Sequence, residues 1–257
     1  MLENLEEKLK QLEKVAIAYS GGIDSSFLLF MANKVLSRNN VLAIIANGAM
    51  VPRKDYKEAI DFLKENNFNY REIKYNPLDI LEFKENHKDR CYYCKKNLMQ
   101  SIINEAKSNR FNNILDGKNA DDLNVYRPGN KATEELKIIS PLAELNIDKS
   151  TIREEAQKLG IKFWNKPSNS CLATRFPYNT VLTEEDLSKV DKSEELIKAL
   201  GIQRVRVRVH GNIARIEVEK EEFNKIMGNR ELAKNMKEIG FDYVTLDLNE
   251  IKSGSFD

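Results

Sequence analysis

Apolar and polar positions along the first two-thirds of the chain fall into alternating blocks with two different periods. Apolar-rich runs at "KVAIAY" (14–19), "VLAIIAN" (41–47), "YREIKY" (70–75) and "FNNILDG" (111–117) read as strands. Between them, apolar residues recur at helical spacing over Ser26–Leu36, Arg53–Asn66 and Lys95–Lys107. Repeated strand–helix units of this length predict an α/β fold, a doubly wound parallel sheet covered by helices on both faces. After a further helix ending near Gly160, the stretch "NKPSNSCLATRFPYN" (165–179) is rich in Pro, Ser and Asn and reads as a loop. The pattern then becomes helix (Thr183–Leu200), hairpin (204–219), helix (Lys220–Ile239) and strand ("FDYVTLDL"). This predicts two domains, an α/β domain over 1–180 and a small α+β domain over 181–257.

Composition narrows the class. No window of this chain, which is 41% apolar, approaches the roughly 18 consecutive apolar residues of a membrane helix. The opening "MLENLEEKLKQLEK" is amphipathic and lacks the apolar segment of a signal peptide, so a cytoplasmic protein with no membrane partner is expected. Forty-one basic against forty acidic side chains give a net charge of +1, which removes the simplest electrostatic argument for a nucleic-acid partner. Three cysteines suit chemistry better than a disulfide framework.

The first strand breaks at "SGGIDS" (20–25). Gly21 and Gly22 allow successive N–H groups to converge on one concavity, and the positive end of the following helix faces it. Ligands on such sheets bind at the carboxyl ends of the strands. Ala18 and Asn47, at the ends of the first two strands, therefore join Ser20, Gly21, Gly22, Ile23, Asp24 and Ser25 as candidate residues of an anion site suited to phosphate. A tight turn capped by Ser25 is the plainer alternative. No lysine lies in the turn, so the Walker A pattern is not met. The hexapeptide resembles the S-G-G-x-D-S loop of the PP-loop ATP pyrophosphatases. That resemblance implies that the loop holds the pyrophosphate of ATP while an acceptor oxygen attacks the α-phosphorus and becomes adenylylated. "DGKNADD" (116–122) is similar to the G-[TS]-N-x-x-D element of the same superfamily, with Lys118 where a small hydroxyl residue is usual. It adds Gly117 and Asp122 to the expected ATP site, with Asp121 as the alternative carboxylate. Asp24 suits Mg²⁺, which prefers carboxylate, phosphate and water oxygens, or serves simply as a favourable charge at a helix start.

Cys91 and Cys94 have C-x-x-C spacing near a helix start, and Cys171 lies in the polar loop. A helix start favours thiolate. On the residues alone three readings stay open: a redox dithiol of Cys91 and Cys94, a structural zinc with His87 as fourth ligand, and an iron–sulfur cluster on all three cysteines with one iron open. "PSNSCLATRFPY" (167–178) resembles the cysteine loop of the LarE family, ATP-dependent sulfur transferases of nickel-pincer cofactor biosynthesis. The resemblance implies a small-molecule nucleotide substrate, pyridinium-3,5-biscarboxylic acid mononucleotide, whose carboxylates become thiocarboxylates. Some members donate the sulfur of the loop cysteine and are left with dehydroalanine. Others add a C-x-x-C and carry a [4Fe-4S] cluster, the pattern seen here, so Cys91, Cys94 and Cys171 are the expected metal ligands. A sulfide or other sulfur donor is then a required partner, and a homo-oligomer is the expected assembly.

"RVRVRVHGNIARIEVE" (204–219) alternates strictly around a Gly211-Asn212 turn. Closing that turn pairs Arg206 with Glu217 and Arg204 with Glu219, but sets Arg208 opposite Arg215, which requires solvent or an anion between them. A solvated polar face is one explanation. The family resemblance implies the other, with Arg206 and Arg208 on the substrate phosphate and Glu217 in a functional role alongside Asp24 and Cys171. Arg175 is expected on adenylate or substrate, or in a structural ion pair. The competing enzyme reading is a PP-loop tRNA thiolase, which needs a basic surface. The non-catalytic reading is a nucleotide-binding regulator with structural zinc.

Overall fold

The computed structural model describes residues 2–123, 128–167 and 169–251, so Ser168 of the loop segment and residues 252–257 of the expected second domain lie outside the described residues. The chain divides into two compact units. The first comprises Met1–Gly48, Arg53–Asn76 and Cys91–Ser168, the second Ala49–Pro52, Pro77–Arg90 and Asn169–Asp257. The boundary read near residue 180 falls inside the second unit, which also takes in two earlier segments. Long-range hydrogen bonds are the reason. Leu172 N donates to Met50 O at 3.1 Å and Leu182 N to Lys84 O at 2.7 Å. Asn86 Nδ2 donates to Pro177 O at 2.8 Å.

In the first unit β1 (Val15–Ala18), β2 (Val41–Asn47), β3 (Tyr70–Lys74) and β4 (Asn113–Leu115) form a parallel sheet in the order β3-β2-β1-β4. Successive strand residues point to opposite faces. Val15, Ile17, Val41, Ala43 and Ile45 pack with residues of α1 (Leu2–Leu12), α2 (Ile23–Val35), α3 (Arg53–Glu65) and α6 (Lys149–Lys158). Ala16, Ala18, Leu42 and Ile44 pack on the other face against Met99, Ile102, Ile103 and Ala106 of α4 (Arg90–Ser108). The sheet is therefore doubly wound, as the continuous apolar runs predict. A short helix, α5 (Pro128–Glu135), precedes α6. The chain leaves β1 for β2 and β3 on one side and returns to add β4 on the other. This reversal opens a crevice at the carboxyl ends of β1 and β4.

Two helix starts differ from the periodicity. α2 begins at Ile23, with Gly22 in the N-cap position and no side-chain capping bond, so Asp24 and Ser25 lie inside its first turn. α4 begins at Arg90, ahead of the apolar stripe from which a start at Lys95 was read, because its first turn is polar and aromatic.

In the second unit α7 (Glu184–Lys198) starts with a capping box between Thr183 and Asp186. β5 (Val205–His210) and β6 (Ile213–Val218) form the antiparallel hairpin in the register expected, and β7 (Tyr243–Leu246) adds parallel to β6. The helix expected over Lys220–Ile239 is broken. Asn229 is extended, and its Oδ1 accepts from Glu231 N at 3.1 Å and Leu232 N at 2.9 Å, which starts a separate helix, α8 (Leu232–Ile239). No helix among the described residues is long and apolar enough to cross a membrane.

Candidate active site

The predicted site residues fall into two groups, one in each unit. In the first unit a cavity of about 230 Å³ opens at the β1/β4 reversal and is lined by Ala18, Ser20, Asp24, Ser25, Gly117 and Asp122, all expected there. Gly21, Gly22, Ile23 and Asn47 do not line it. Asn47 Oδ1 instead accepts from Arg53 Nη1 at 2.8 Å. A larger cavity, about 480 Å³ beside Phe62 and Phe163, carries none of the motif residues.

The loop is shaped by its own small residues. Gly21 has φ +75°, and a Cβ there would sit 2.5 Å from Ala59 Cβ, so glycine is required twice over. Gly22 N donates to Ser20 Oγ at 3.3 Å, and Ser25 Oγ donates to Gly22 O at 3.1 Å. These contacts wrap the turn around the start of α2, where backbone N–H groups and the helix dipole favour an anion. Gly117 lets the second motif approach. A Cβ on it would lie 2.7 Å from Ser25 N.

Asp24 is tied on both oxygens: Asn119 Nδ2 donates to Oδ1 at 3.2 Å, and the Lys149 ammonium forms an ion pair with Oδ2. Neither partner was singled out from sequence. Asn119 lies within the recognised motif, whereas Lys149 begins α6 with no local signature. The two acidic candidates of "DGKNADD" separate. Asp122 lines the cavity, while exposed Asp121 accepts from Lys149 N at 3.0 Å. Lys95, Lys118, Asp116, Asn130 and Thr133 complete the wall. Burial pushes the Lys95 pKa down, opposed by the charges of Asp116, Cys94 and Asp122.

Of the three carboxylates that line this phosphate-sized cavity, Asp24 and Asp122 suit Mg²⁺, which characteristically takes one or two protein carboxylates and fills its shell with water and phosphate. Cys91 and Cys94 share one face of the first turn of α4 at i,i+3 spacing. Tyr75 Oη donates to the Cys94 carbonyl at 2.8 Å and lies 3.4 Å from its Sγ. Cys171 belongs to the second unit, and all three thiols are free of disulfides. Among the described residues no three His, Cys, Asp or Glu side chains form a group able to hold a metal ion.

The second group surrounds Cys171. Arg175 and Arg208 are almost fully buried, at 1% and 2% exposure, and so are Glu194 and Glu217, each at 2%. Arg175 forks onto Glu194, with Nε to Oε1 at 2.7 Å and Nη2 to Oε2 at 3.0 Å. Its Nη1 donates to Ser170 Oγ at 2.6 Å and reaches the Cys171 carbonyl at 3.3 Å. Glu194 Oε1 also accepts from Val207 N at 3.0 Å, joining the cysteine loop, α7 and β5 through one carboxylate. Arg208 donates from Nη1 to Thr174 O at 2.6 Å and from Nε to Glu217 Oε2 at 3.0 Å.

The like-charge pair Arg208/Arg215 is resolved from within. Glu217 Oε1 accepts from Arg215 Nη2 at 3.0 Å, so one buried carboxylate bridges both guanidiniums. The solvated-face explanation does not hold for the buried Arg208. Arg206 is more open, and burial together with the charges of Arg175 and Arg208 pushes its pKa down. A cluster of guanidiniums that outnumbers its carboxylates is suited to a phosphate or carboxylate ligand. Glu194 was missed from sequence. Its signal was position, since it falls with Leu187, Val190 and Ile197 on the buried stripe of α7.

Residues 2–118, which carry β1 to β4 and the glycine loop, match the NAD synthase family. Over 256 residues, 98% of this chain and 95% of the relative, the chain is 36% identical to an uncharacterized protein of Synechocystis sp.. An uncharacterized protein of Methanocaldococcus jannaschii is 35% identical over 251 residues, 97% of this chain and 95% of its own length. A pyridinium-3,5-bisthiocarboxylic acid mononucleotide synthase of Lactiplantibacillus plantarum is 37% identical over 247 residues, 96% of this chain and 90% of its own length. The matched stretch covers nearly the whole of this chain, and the chain belongs to the family of this synthase.

Proposed function

We propose that the protein is an ATP-dependent sulfur transferase that converts a carboxylate of pyridinium-3,5-biscarboxylic acid mononucleotide into a thiocarboxylate, in nickel-pincer cofactor biosynthesis. The observation that carries this reading is the cavity at the β1/β4 reversal, where the SGGIDS loop and Asp122 meet. The relative's name supplies the product, pyridinium-3,5-bisthiocarboxylic acid mononucleotide, whose carboxylate counterpart is the acceptor.

In the proposed sequence ATP lies with its phosphates against Ser20–Ser25 and its leaving pyrophosphate at the start of α2. Asp24 and Asp122 would hold Mg²⁺, which would offset charge on the phosphate oxygens. A substrate carboxylate oxygen attacks the α-phosphorus, the bond to the bridging oxygen breaks, and pyrophosphate departs. The resulting acyl-adenylate is attacked at its carbonyl carbon by a sulfur nucleophile, a C–S bond forms, and AMP leaves. Arg206 holds the substrate phosphate. Arg208 and Glu217, through Thr174, and Arg175 through Ser170 and Cys171, hold the cysteine loop in shape.

For the sulfur carrier we favour a [4Fe-4S] cluster on Cys91, Cys94 and Cys171, since three thiols are the donor set such a cluster uses when one iron is left open. That open iron would supply a site for sulfide. Cys171 as donor is the competing reading, favoured by the Arg175 guanidinium, whose Nη1 reaches the Cys171 carbonyl at 3.3 Å. In that case the Cys171 thiolate forms the thioester, and loss of its Cα proton breaks the Cβ–S bond to release thiocarboxylate and leave dehydroalanine. Cytoplasmic location and homo-oligomeric assembly complete the proposal.

The test is incubation of the anaerobically purified protein with ATP, Mg²⁺, the biscarboxylic acid mononucleotide and sulfide. AMP and pyrophosphate release that depends on the acceptor, with oxygen-to-sulfur exchange in its mass, is expected. Tight ATP binding without either product would overturn the reading in favour of a regulator. Iron and sulfide in near-equal amounts support the cluster, stoichiometric zinc refutes it, and a chain lighter by hydrogen sulfide after turnover assigns Cys171 as donor.

A further inference from the structure

The glycine loop carries no lysine, yet a phosphate site that holds a triphosphate needs cationic contacts. Three carboxylates line the cavity, those of Asp24, Asp116 and Asp122, against the ammonium groups of Lys95 and Lys118. Lys118 lies 3.6 Å from Glu134. Lys149, just outside the lining, is paired with Asp24. Among the described residues no hydrogen bond or ion pair ends on the Lys95 ammonium, although it faces the same cavity. Lys95 is half-buried at the cavity wall, and an arriving anion would give its ammonium a charged contact partner there.

The backbone at Lys95 is well anchored. Tyr75 Oη holds the carbonyl of the preceding residue, Cys94, at 2.8 Å. On its other flank Gly129 of α5 packs closely, since a Cβ there would lie 3.5 Å from Lys95 Cβ. The chain thus presents this one ammonium to the cavity from α4, across from the loop on α2.

We propose that Lys95 is the cationic phosphate ligand that the SGGIDS loop lacks, contacting the phosphates of the bound nucleoside triphosphate. It does from a neighbouring helix what a Walker-type lysine does from within its own loop. The proposal rests on the nucleotide reading of this cavity and adds a named residue to it. Because Lys95 follows Cys94 directly, the helix turn that bears the C-x-x-C also bears the phosphate contact.

Isothermal titration of the full chain with Mg–ATP, pyrophosphate and adenosine, for wild type, Lys95→Met and Lys95→Arg, tests the assignment. The loss of one charged hydrogen-bonded contact predicts roughly 10- to 150-fold weaker binding of ATP and pyrophosphate by Lys95→Met. Adenosine binding should be unchanged, and Lys95→Arg should recover most of the loss. If Lys95→Met unfolds, Lys95→Gln replaces it, with adenosine affinity as the check on an intact pocket. Equal ATP and pyrophosphate affinities in wild type and variant overturn the proposal alone. An equal loss for adenosine overturns it too, since the defect would then be general. A wild-type chain that binds no nucleotide overturns the nucleotide reading and this proposal with it.

Discussion

Replacing Gly117 by alanine adds one methyl group at the point where the two nucleotide motifs touch. The new Cβ would stand 2.7 Å from Ser25 N, 3.0 Å from Ser25 Cα and 3.1 Å from Asp24 C. Ordinary contact begins near 3.4 Å, so one of the two turns must give way by about 0.7 Å, and all three of these neighbours are backbone atoms. Gly117 is not among the positive-φ residues, so alanine suffers no left-handed strain there and the effect is one of packing. Overpacking of this kind costs about 1–3 kcal/mol. If the turns stay in place, the cost appears as lost stability in denaturant unfolding. If they part, it appears as a weaker phosphate site, roughly 5- to 150-fold in the Kd for ATP. Gly160→Ala is the matched control: φ is +74° and its Cβ would meet nothing within 4 Å. That substitution should lower stability by about 1–2 kcal/mol through backbone strain and leave ATP affinity unchanged. A Gly117→Ala protein with both wild-type stability and wild-type ATP affinity would refute the close approach of the two motifs.

Glu194→Ala strips the buried Arg175 of its carboxylate and leaves Val207 N without its acceptor, so unfolding should become easier by about 3–5 kcal/mol in guanidinium titrations. Asp24→Asn should abolish acceptor-dependent pyrophosphate release while leaving adenosine binding intact, as measured by a coupled pyrophosphate assay and titration. Arg206→Gln should raise KM for the mononucleotide more than it lowers kcat, because the role proposed for it is to hold the substrate phosphate; an unchanged KM would refute it. Arg208→Lys should fail to rescue, since lysine cannot span Glu217 and Thr174 with a planar fork; wild-type turnover by this variant would show that neither contact matters.

The glycine loop, the sheet strands and the hairpin register were all legible because each is written in consecutive residues: a period, a turn dipeptide or a short motif. Misreadings arose where a local polar turn or cap, or a distant contact, overrides the apolar period. The apolar stripe of α4 starts after its polar first turn, and Asn229 breaks a helix whose flanks both read as helical. Likewise the second unit gathers Ala49–Pro52 and Pro77–Arg90 through hydrogen bonds that no compositional shift announces.

From the chain alone came the class of fold, the phosphate loop, the odd cysteine count and the paired face of arginines, since periodicity and motif chemistry depend on neighbours in sequence. Folding decided which of those groups are free to act. It buried Arg175 and Arg208 against Glu194 and Glu217, placed Asp122 and not Asp121 in the cavity, and brought Lys95 and Lys149 to the glycine loop. Ion pairs between residues 9, 19 and 125 positions apart depend on chain geometry and on the cost of burying charge, and neither is written in a run of consecutive residues.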